Sequence, residues 1–310
     1  MKRIASRAVA GILLCVTALV FAALVAGTTY EAGSSIPQGF AGQVVDVEGV
    51  RLRVLQEGAG RDVLMIHGSP GILEDFDAQA AALRGRMRVT RFDRPGHGFS
   101  DDTGSYSFEH NARVARALIE KLGLERTIVV GHSYGGSTAL ALAGLASPRV
   151  AAIVVLDSAV YAPIRAVNPT FRYLRLGTLG VGLARLVPDS VLSRRMSEAI
   201  TAEFVGGPPP GFVDMRMPVY TQPKVMHAVA NEHTGSAEEL ARQHPHYAAI
   251  RLPLYIAAQR DDAGRRQAAE RLQADVAGAQ LELLSPSGHF VQVEHADAVT
   301  ALIERASRAE

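Results

Sequence analysis

The sequence TIVVGHSYGGSTALALA, residues 127–143, decides the fold of this chain. An apolar run is followed by the pentapeptide Gly131-His132-Ser133-Tyr134-Gly135 and then by small helix-forming residues. This order predicts a strand, a sharp turn and a helix, with Ser133 at the apex of the turn. The glycines let the backbone turn tightly enough to hold the serine in a strained conformation with its hydroxyl exposed. A tight, glycine-flanked turn without a chemical role is the alternative interpretation.

Composition restricts the class of protein. The 310 residues are enough for one large domain or two ordinary ones, and a hydrophobic content of 48% with mixed charge is typical of a globular enzyme. A net charge of +1 gives no support to a nucleic-acid-binding role. Cys15 is the only cysteine and lies in an apolar N-terminal run, so internal disulfides and thiolate metal sites are excluded.

The first 27 residues have the pattern of a membrane segment. Lys2, Arg3 and Arg7 precede a run of uncharged residues, 8–27, that is long enough to cross a bilayer as a helix. Basic residues on this side predict that the N-terminus stays cytoplasmic. We therefore predict a membrane anchor over residues 1–27, with the remainder of the chain on the extracytoplasmic side. The alternative is a signal peptide whose cleavage would release a secreted or periplasmic protein.

Beyond a linker at residues 28–42, apolar strands alternate with helical patterns. The strands are predicted at residues 43–47, 50–55, 63–66, 88–92, 128–130, 150–156, 252–257 and 281–284. Such alternation predicts an α/β fold, a mostly parallel sheet with helices on both faces, formed by residues 43–160 and 248–310. Residues 161–247 interrupt it and predict an inserted helical lid, with helices at 171–186, 190–204 and 236–244.

A serine nucleophile needs a base, usually histidine, and the base needs an orienting carboxylate. His289 is the predicted base, because it follows the strand at residues 281–284 and so lies with Ser133 at the carboxyl edge of the sheet. An imidazole with a pKa of about 6.5 is mostly neutral at pH 7 and can accept the serine proton. The alternative is a loop histidine that is hydrogen-bonded to the backbone.

Three carboxylates are candidates for the orienting group. Asp261 and Asp262 follow the strand at residues 252–257, and Asp157 follows the strand at residues 150–156. An ionised carboxylate bonded to one imidazole nitrogen fixes the tautomer and stabilises the imidazolium that forms during catalysis. We prefer Asp262, then Asp261, then Asp157.

The loop HGSPG, residues 67–71, follows the strand at residues 63–66. It can direct the backbone N–H of Ser69 at a developing oxyanion, and the N–H of Tyr134, at the start of a helix, supplies a second donor. The sequence therefore predicts an oxyanion hole formed by these two amides. A plain strand-to-helix turn is the alternative.

These motifs resemble the lid-bearing serine hydrolases of the α/β-hydrolase fold, a group that includes esterases, lipases, C–C bond hydrolases and proline iminopeptidases. The resemblance covers residues 43–310 and rests on HGSPG at 67–71, FDRPGHGFS at 92–100, GHSYGG at 131–136, RDD at 260–262 and SGHFVQVEH at 287–295. In such proteins the acid lies nine residues after the proline that opens its strand, which from Pro253 implies Asp262. Gln259 departs from the glycine that is common in that turn.

The resemblance implies hydrolysis of a carboxylic ester, or a related acyl bond, through a triad of Ser133, His289 and Asp262. It implies no cofactor and no metal. Relatives that open epoxides or displace halides carry aspartate in place of the serine. The alternatives are a C–C bond hydrolase or aminopeptidase on the same scaffold, or a non-catalytic ligand-binding receptor. The predicted partners are a small-molecule substrate and, through the N-terminal segment, a membrane; the oligomeric state stays open.

Two charged regions have more than one interpretation. Asp93 and Arg94, within residues 92–100, are predicted to hold a turn near the site. Between residues 161 and 200, six arginines face only two acidic residues. This excess predicts a solvated face or, alternatively, a surface that rests on an anionic membrane.

Overall fold

The computed structural model of the chain describes residues 2–28, 35–162 and 174–308, with side chains from residue 7 onward. Its first element is the helix Lys2–Thr28, of which Arg7–Thr28 is long and apolar enough to cross a membrane. A signal sequence passes the same test, so both predictions for this segment stand. In the predicted linker, residues 35–42 form neither helix nor strand.

Eight strands form one sheet. They are β1 (Gln43–Val47), β2 (Val50–Glu57), β3 (Arg61–Ile66), β4 (Met87–Phe92), β5 (Thr127–His132), β6 (Val150–Leu156), β7 (Leu254–Gln259) and β8 (Gln280–Leu284). Their order across the sheet is β1-β2-β4-β3-β5-β6-β7-β8. The pairs β1–β2 and β2–β4 are antiparallel, and all other neighbours are parallel. The predicted mostly parallel sheet is confirmed.

Side chains of the central strands alternate between two apolar clusters, one on each face of the sheet. In β3, Val63 and Met65 pack in one cluster, and Leu64 and Ile66 pack in the other. Burial on both faces explains why these strands are continuous apolar runs in the sequence. The helices around the sheet are Asp77–Leu83, Phe108–Lys121, Tyr134–Gly144, Ala263–Asp275, Val291–Glu294 and Ala296–Ser307, with a 3₁₀ turn at Leu73–Phe76.

Between β6 and β7 lies the inserted segment, defined here as residues 174–249. Its described helices are Gly177–Leu186, Asp189–Thr201, Phe212–Tyr220 and Pro223–Gln243, followed by a 3₁₀ turn at His244–Ala249. The helix Phe212–Tyr220 was not predicted. The helix expected at residues 236–244 begins earlier, at Pro223, because proline is favoured in the first turn of a helix, where its missing N–H leaves no bond unmade. Residues 163–173 of the predicted lid lie outside the described residues.

Candidate active site

Ser133 lies between β5 and the following helix with φ 53° and ψ −119°, a backbone conformation that L-residues rarely adopt. The glycines two residues before and two residues after Ser133 are required because a side chain at either position would collide with the backbone. A Cβ at Gly131 would lie 2.2 Å from the carbonyl oxygen of Gly135, and a Cβ at Gly135 would lie 2.1 Å from that of Ile66. The tight turn expected from the pentapeptide is therefore present, and it holds the serine at the carboxyl edge of the sheet.

The imidazole of His289 joins Ser133 to a buried carboxylate. Its Nε2 lies 2.9 Å from Oγ of Ser133, and its Nδ1 lies 2.6 Å from Oδ2 of Asp157. The side chain of His289 is 13% exposed and that of Asp157 is fully buried. When Nδ1–H donates to the carboxylate, Nε2 is left as the acceptor for the serine hydroxyl. The structure thus brings together two residues of the predicted triad and the third-ranked carboxylate.

This geometry corrects the preference for Asp262. Its Oδ1 accepts a hydrogen bond from the backbone N–H of Arg265 at 3.0 Å, so Asp262 caps the helix Ala263–Asp275. The physical reason for the correction is strand order. Because β6 lies directly beside β5, its end places Asp157 next to the turn that carries Ser133, whereas β7 is one strand further away.

Gln259 and Arg265 hold the carboxylate of Asp157 in place. The backbone N–H of Gln259 donates to Oδ1 at 3.1 Å, and its side-chain Nε2 donates to Oδ2 at 3.0 Å. Nη1 of Arg265 lies 3.2 Å from Oδ2 and donates to the carbonyl oxygen of Asp157 at 3.0 Å. The glutamine that departs from the family's usual glycine is therefore a direct partner of the acid.

Burial and charge set the ionisation of this pair. Burial raises the pKa of Asp157, but the hydrogen bond with His289 and the charge of Arg265 outweigh it and lower the pKa to about 2. Burial, assisted by Arg265, lowers the pKa of His289 below its ordinary value of 6.5, against the opposing effect of Asp157. At neutral pH the acid is ionised and the imidazole is neutral, which are the forms that proton abstraction requires.

His132, the residue before Ser133, is buried beside the imidazole of His289. Its Nε2 donates to the carbonyl oxygen of His289 at 2.9 Å, and the two ring centroids are 4.7 Å apart. Burial and the neighbouring His289 lower the pKa of His132 to about 3, so it stays neutral. In the described part of the chain its Nδ1 is buried without a protein partner. His132 therefore ties the turn at Ser133 to the backbone of the histidine loop.

The loop after β3 passes against the turn that carries Ser133, because a Cβ at Gly68 would lie 3.1 Å from Cβ of Ser133. The carbonyl oxygen of Ser69 accepts a hydrogen bond from Nε2 of His233 at 2.9 Å. The amide of Tyr134 is in the first turn of its helix, where N–H groups have no intrahelical acceptor. The two amides expected to bind an oxyanion thus belong to neighbouring segments beside the serine.

A fully buried ion pair ties this loop to the inserted segment. Nη1 of Arg94 lies 2.5 Å from Oε1 of Glu232, and both side chains are 0% exposed. Arg94 also donates to the carbonyl oxygens of His67 at 3.1 Å and Gly68 at 2.8 Å. Burial raises the pKa of Glu232, but Arg94 and His97 outweigh it and lower the pKa far below its ordinary value. Arg94 thus holds a turn near the site, as its sequence context predicts.

The loop that carries His289 is hydrogen-bonded to residues 203–205 of the inserted segment. The backbone N–H of His289 donates to the carbonyl oxygen of Glu203 at 2.7 Å. The carboxylate of Glu294 accepts the backbone N–H of Gly288 at 2.8 Å and that of Val205 at 2.8 Å. Glu294 therefore bridges the histidine loop and the inserted segment.

Asp261, the second candidate for the acid, is hydrogen-bonded to the loop that carries His289. Its carboxylate accepts hydrogen bonds from Oγ of Ser285 at 3.0 Å and from the backbone N–H of Ser287 at 3.3 Å. Among the described residues, these bonds join Asp261 to a side chain and a backbone N–H of the loop and place it in a supporting position rather than against the imidazole.

Sequence reasoning missed several supporting residues. Glu203 and Glu232 lie in the inserted segment. Its sequence predicts helices but does not indicate which face of each helix meets the sheet. Gln259 carried a usable signal, since it is a polar residue at the end of an otherwise apolar strand. Within the described ranges, no group of three or more His, Cys, Asp or Glu side chains is arranged to hold a metal ion.

Comparisons with known proteins agree with the fold. The model of the Alpha/beta hydrolase family matches residues 63–302. The chain is 28% identical over 276 residues to a 2-hydroxymuconate semialdehyde hydrolase of Pseudomonas sp. (strain CF600), which covers 84% of this chain and 92% of the relative. It is 28% identical over 268 residues to haloalkane dehalogenase 2 of Mycobacterium tuberculosis (strain ATCC 25618 / H37Rv), which covers 82% and 91%. The crystal structure of the enol-lactonase from Burkholderia xenovorans LB400 is similar with a TM-score of 0.68 at 22% identity, covering 85% of this chain and 99% of that one.

Proposed function

The chain belongs to the α/β hydrolase family, and we propose that it is a serine hydrolase that cleaves a carboxylic ester through an acyl-enzyme intermediate on Ser133. The observation that carries this proposal is the chain of hydrogen bonds from Ser133 through His289 to Asp157. A serine hydroxyl is a poor nucleophile until a neighbouring base removes its proton. The 2.9 Å contact between Oγ of Ser133 and Nε2 of His289 supports this role, because it directs the hydroxyl at the proposed base.

Acylation follows from these positions. Nε2 of His289 takes the proton of Ser133 as Oγ attacks the carbonyl carbon, and Asp157 stabilises the imidazolium that forms. The negative charge that develops on the carbonyl oxygen is stabilised by the amides of Ser69 and Tyr134, each contributing about 3 kcal/mol in the transition state. The imidazolium then protonates the departing alcohol, and the acyl group remains on Oγ.

Deacylation repeats the same roles with water. His289 removes a proton from the water as it attacks the acyl carbon, the same two amides stabilise the second oxyanion, and the returned proton restores Ser133. Every proton is carried by the imidazole, so the cycle requires no cofactor.

The type of nucleophile determines which kind of bond can be cleaved. An activated hydroxyl suits attack at an acyl carbon, and a haloalkane offers only an alkyl carbon. We therefore do not propose dehalogenation, although one relative carries that name. An ester with an apolar acyl or alcohol part is the proposed substrate class.

Cleavage of a carbon–carbon bond is the second candidate. It is favoured by the alignment with the 2-hydroxymuconate semialdehyde hydrolase over most of both chains. That relative's named substrate contains no ester, and a triad does not encode the leaving group. Parallel assays with p-nitrophenyl esters of increasing acyl length and with a vinylogous diketone separate the two candidates.

A fluorophosphonate probe tests the proposal directly, because it reacts covalently with an activated serine. We expect labelling of the full chain and loss of labelling and esterase activity in Ser133→Ala. The matched control is Ser137→Ala, which removes a hydroxyl one turn later that donates to the carbonyl oxygen of Ala159 at 2.6 Å. Labelling that persists in Ser133→Ala, or no labelling of the full chain, would contradict the proposal; the second result is expected of a non-catalytic receptor.

A further inference from the structure

The N-terminal helix Lys2–Thr28 packs closely against the helix Gly177–Leu186 of the inserted segment. A Cβ at Gly182 would lie 1.7 Å from the carbonyl oxygen of Ala23, and a Cβ at Gly27 would lie 1.9 Å from that of Thr178. Small residues four positions apart on both helices let the backbones approach this closely, which is the usual geometry of helix pairs in membranes. Ala23 is completely buried by this contact, unlike the residues before it.

Arg185 reinforces the contact at the end of the N-terminal helix. Its Nη1 donates to the carbonyl oxygen of Ala26 at 2.5 Å. This carbonyl belongs to the last turn, where helix carbonyls have no intrahelical partner. Thr178 and Arg185 thus contact Gly27 and Ala26 at the end of the helix, so the contact favours a retained anchor over a cleaved signal.

Exposed apolar side chains outside the N-terminal helix are concentrated in the inserted segment. Outside the N-terminal helix, the described large apolar residues that are exposed comprise Val44 and a set in the inserted segment, between 39% and 52% exposed: Leu176, Leu186, Val191, Val205 and Met215. In the helix Asp189–Thr201, Val191, Arg194 and Arg195 are exposed at the spacing of one helix face. Glu198 is exposed on the same face and pairs with Arg195 at 3.5 Å, so Arg194 supplies the net positive charge there. Apolar and basic side chains on one outward face are typical of helices that lie in a membrane interface.

We infer that the inserted segment is docked on the membrane anchor and lies in the outer interface of the bilayer, with lipid covering its exposed apolar face. Distances along the anchor agree with this position. Ala23 is five residues before the end of the helix at Thr28, about 8 Å along its axis. Interfacial helices bury their apolar face by about 5–10 Å. The inference does not depend on the reaction proposed for Ser133.

The docked position connects the bilayer to the active site. Val205 is exposed, and its backbone N–H is bonded to Glu294, which also bonds the loop that carries His289. The surface assigned to lipid therefore continues into residues 203–205, which contact the catalytic loop. Substrates dissolved in the membrane are brought close to this loop without first entering water.

Depth-dependent quenching in vesicles tests the inference on the full chain. In a Cys15→Ser background, a bimane fluorophore is attached to a single cysteine at Val191→Cys or at Ala277→Cys. Ala277 is the control, because it is exposed and lies just before β8, at the amino edge of the sheet. The vesicles contain equal amounts of phosphatidylcholine and phosphatidylglycerol, with or without brominated acyl chains. We expect bromine to quench the label at position 191 and to leave the label at position 277 unchanged.

A second variant tests the docking contact. Gly182→Leu is expected to abolish the quenching at position 191, because its side chain collides with the backbone at Ala23. Gly235→Leu is the matched control, since a Cβ there meets, among the described residues, only the tip of Glu239 at 3.3 Å, and it should keep the quenching. Equal emission at position 191 with and without bromine overturns the inference, as does quenching that survives Gly182→Leu. None of these readings requires turnover, so they are separate from the test of the serine hydrolase.

Discussion

The side-chain amide of Gln259 donates a hydrogen bond to Oδ2 of Asp157 at 3.0 Å, and its backbone N–H donates to Oδ1 at 3.1 Å. One residue at the end of β7 therefore orients both oxygens of a carboxylate at the end of β6. A carboxylate held in this way has little freedom to turn, so its remaining hydrogen-bonding capacity is directed at the imidazole of His289. The pair accounts for a carboxylate held beside His289 after β6, where the family resemblance implies one after β7.

Replacement of single carboxylates distinguishes Asp157 from Asp262 as the proposed acid. Asp157→Asn should lower kcat by about 10⁴-fold, because an amide at this position favours the wrong imidazole tautomer. Asp262→Asn should leave kcat unchanged, since asparagine caps a helix about as well as aspartate. Steady-state kinetics with a p-nitrophenyl ester measures both. A large loss in Asp262→Asn with a small one in Asp157→Asn would restore the original assignment.

The pH profile should report a base that titrates below its ordinary range. The pKa of His289 is lowered from 6.5, so the active neutral form is lost only as pH falls through a value below 6.5. We expect kcat/KM to rise with pH and to reach half its plateau below pH 6.5. Arg265→Gln removes a charge that lowers this pKa and should move the midpoint upward. Arg266→Gln, next to it but paired with Glu270, should leave the midpoint in place; a shift in both variants contradicts the assignment.

The ion pair of Arg94 and Glu232 should be essential for stability. Glu232→Gln leaves the guanidinium buried and uncompensated, which typically costs about 3–5 kcal/mol in the free energy of unfolding. Glu238→Gln, on the same helix, breaks only an exposed pair with Arg242 and should cost less than about 1 kcal/mol. Urea denaturation in detergent micelles compares the two. Similar losses of unfolding free energy in both variants would show that the buried pair contributes no more to stability than the exposed one.

Glu294 should act on turnover through the position of His289. In Glu294→Gln one carboxylate oxygen becomes an NH₂ group, so either Gly288 or Val205 loses its acceptor. A hydrogen bond to a charged group contributes about 1.5–3 kcal/mol, so we expect kcat to fall about tenfold or more while KM changes little. Glu304→Gln, which removes only a surface partner of Arg86, is the control. An unchanged kcat in Glu294→Gln, or an equal fall in the control, would show that the bridge does not position the histidine.

Local sequence patterns predicted most of the strands and the turn at Ser133. The apolar runs predicted the strands because strands buried on both faces admit few polar residues. The glycines around Ser133 predicted the turn because a Cβ at either position collides with the backbone. His289 was predicted as the base because the loop after a strand of a parallel sheet opens at the same edge as the serine. The extent of helix Pro223–Gln243 and the presence of Phe212–Tyr220 escaped prediction, since tertiary packing overrides weak helix propensity.

The sequence by itself determined the sheet and predicted Ser133 as nucleophile and His289 as base, because each of these depends on residues close together in the chain. Only the tertiary structure showed which of Asp157, Asp261 and Asp262 contacts His289, and only it revealed Glu232 and Glu294 as partners of the candidate site. These choices depend on which strands are neighbours and which helix face meets the sheet. Such contacts join residues more than 80 positions apart, so no local pattern of side chains specifies them.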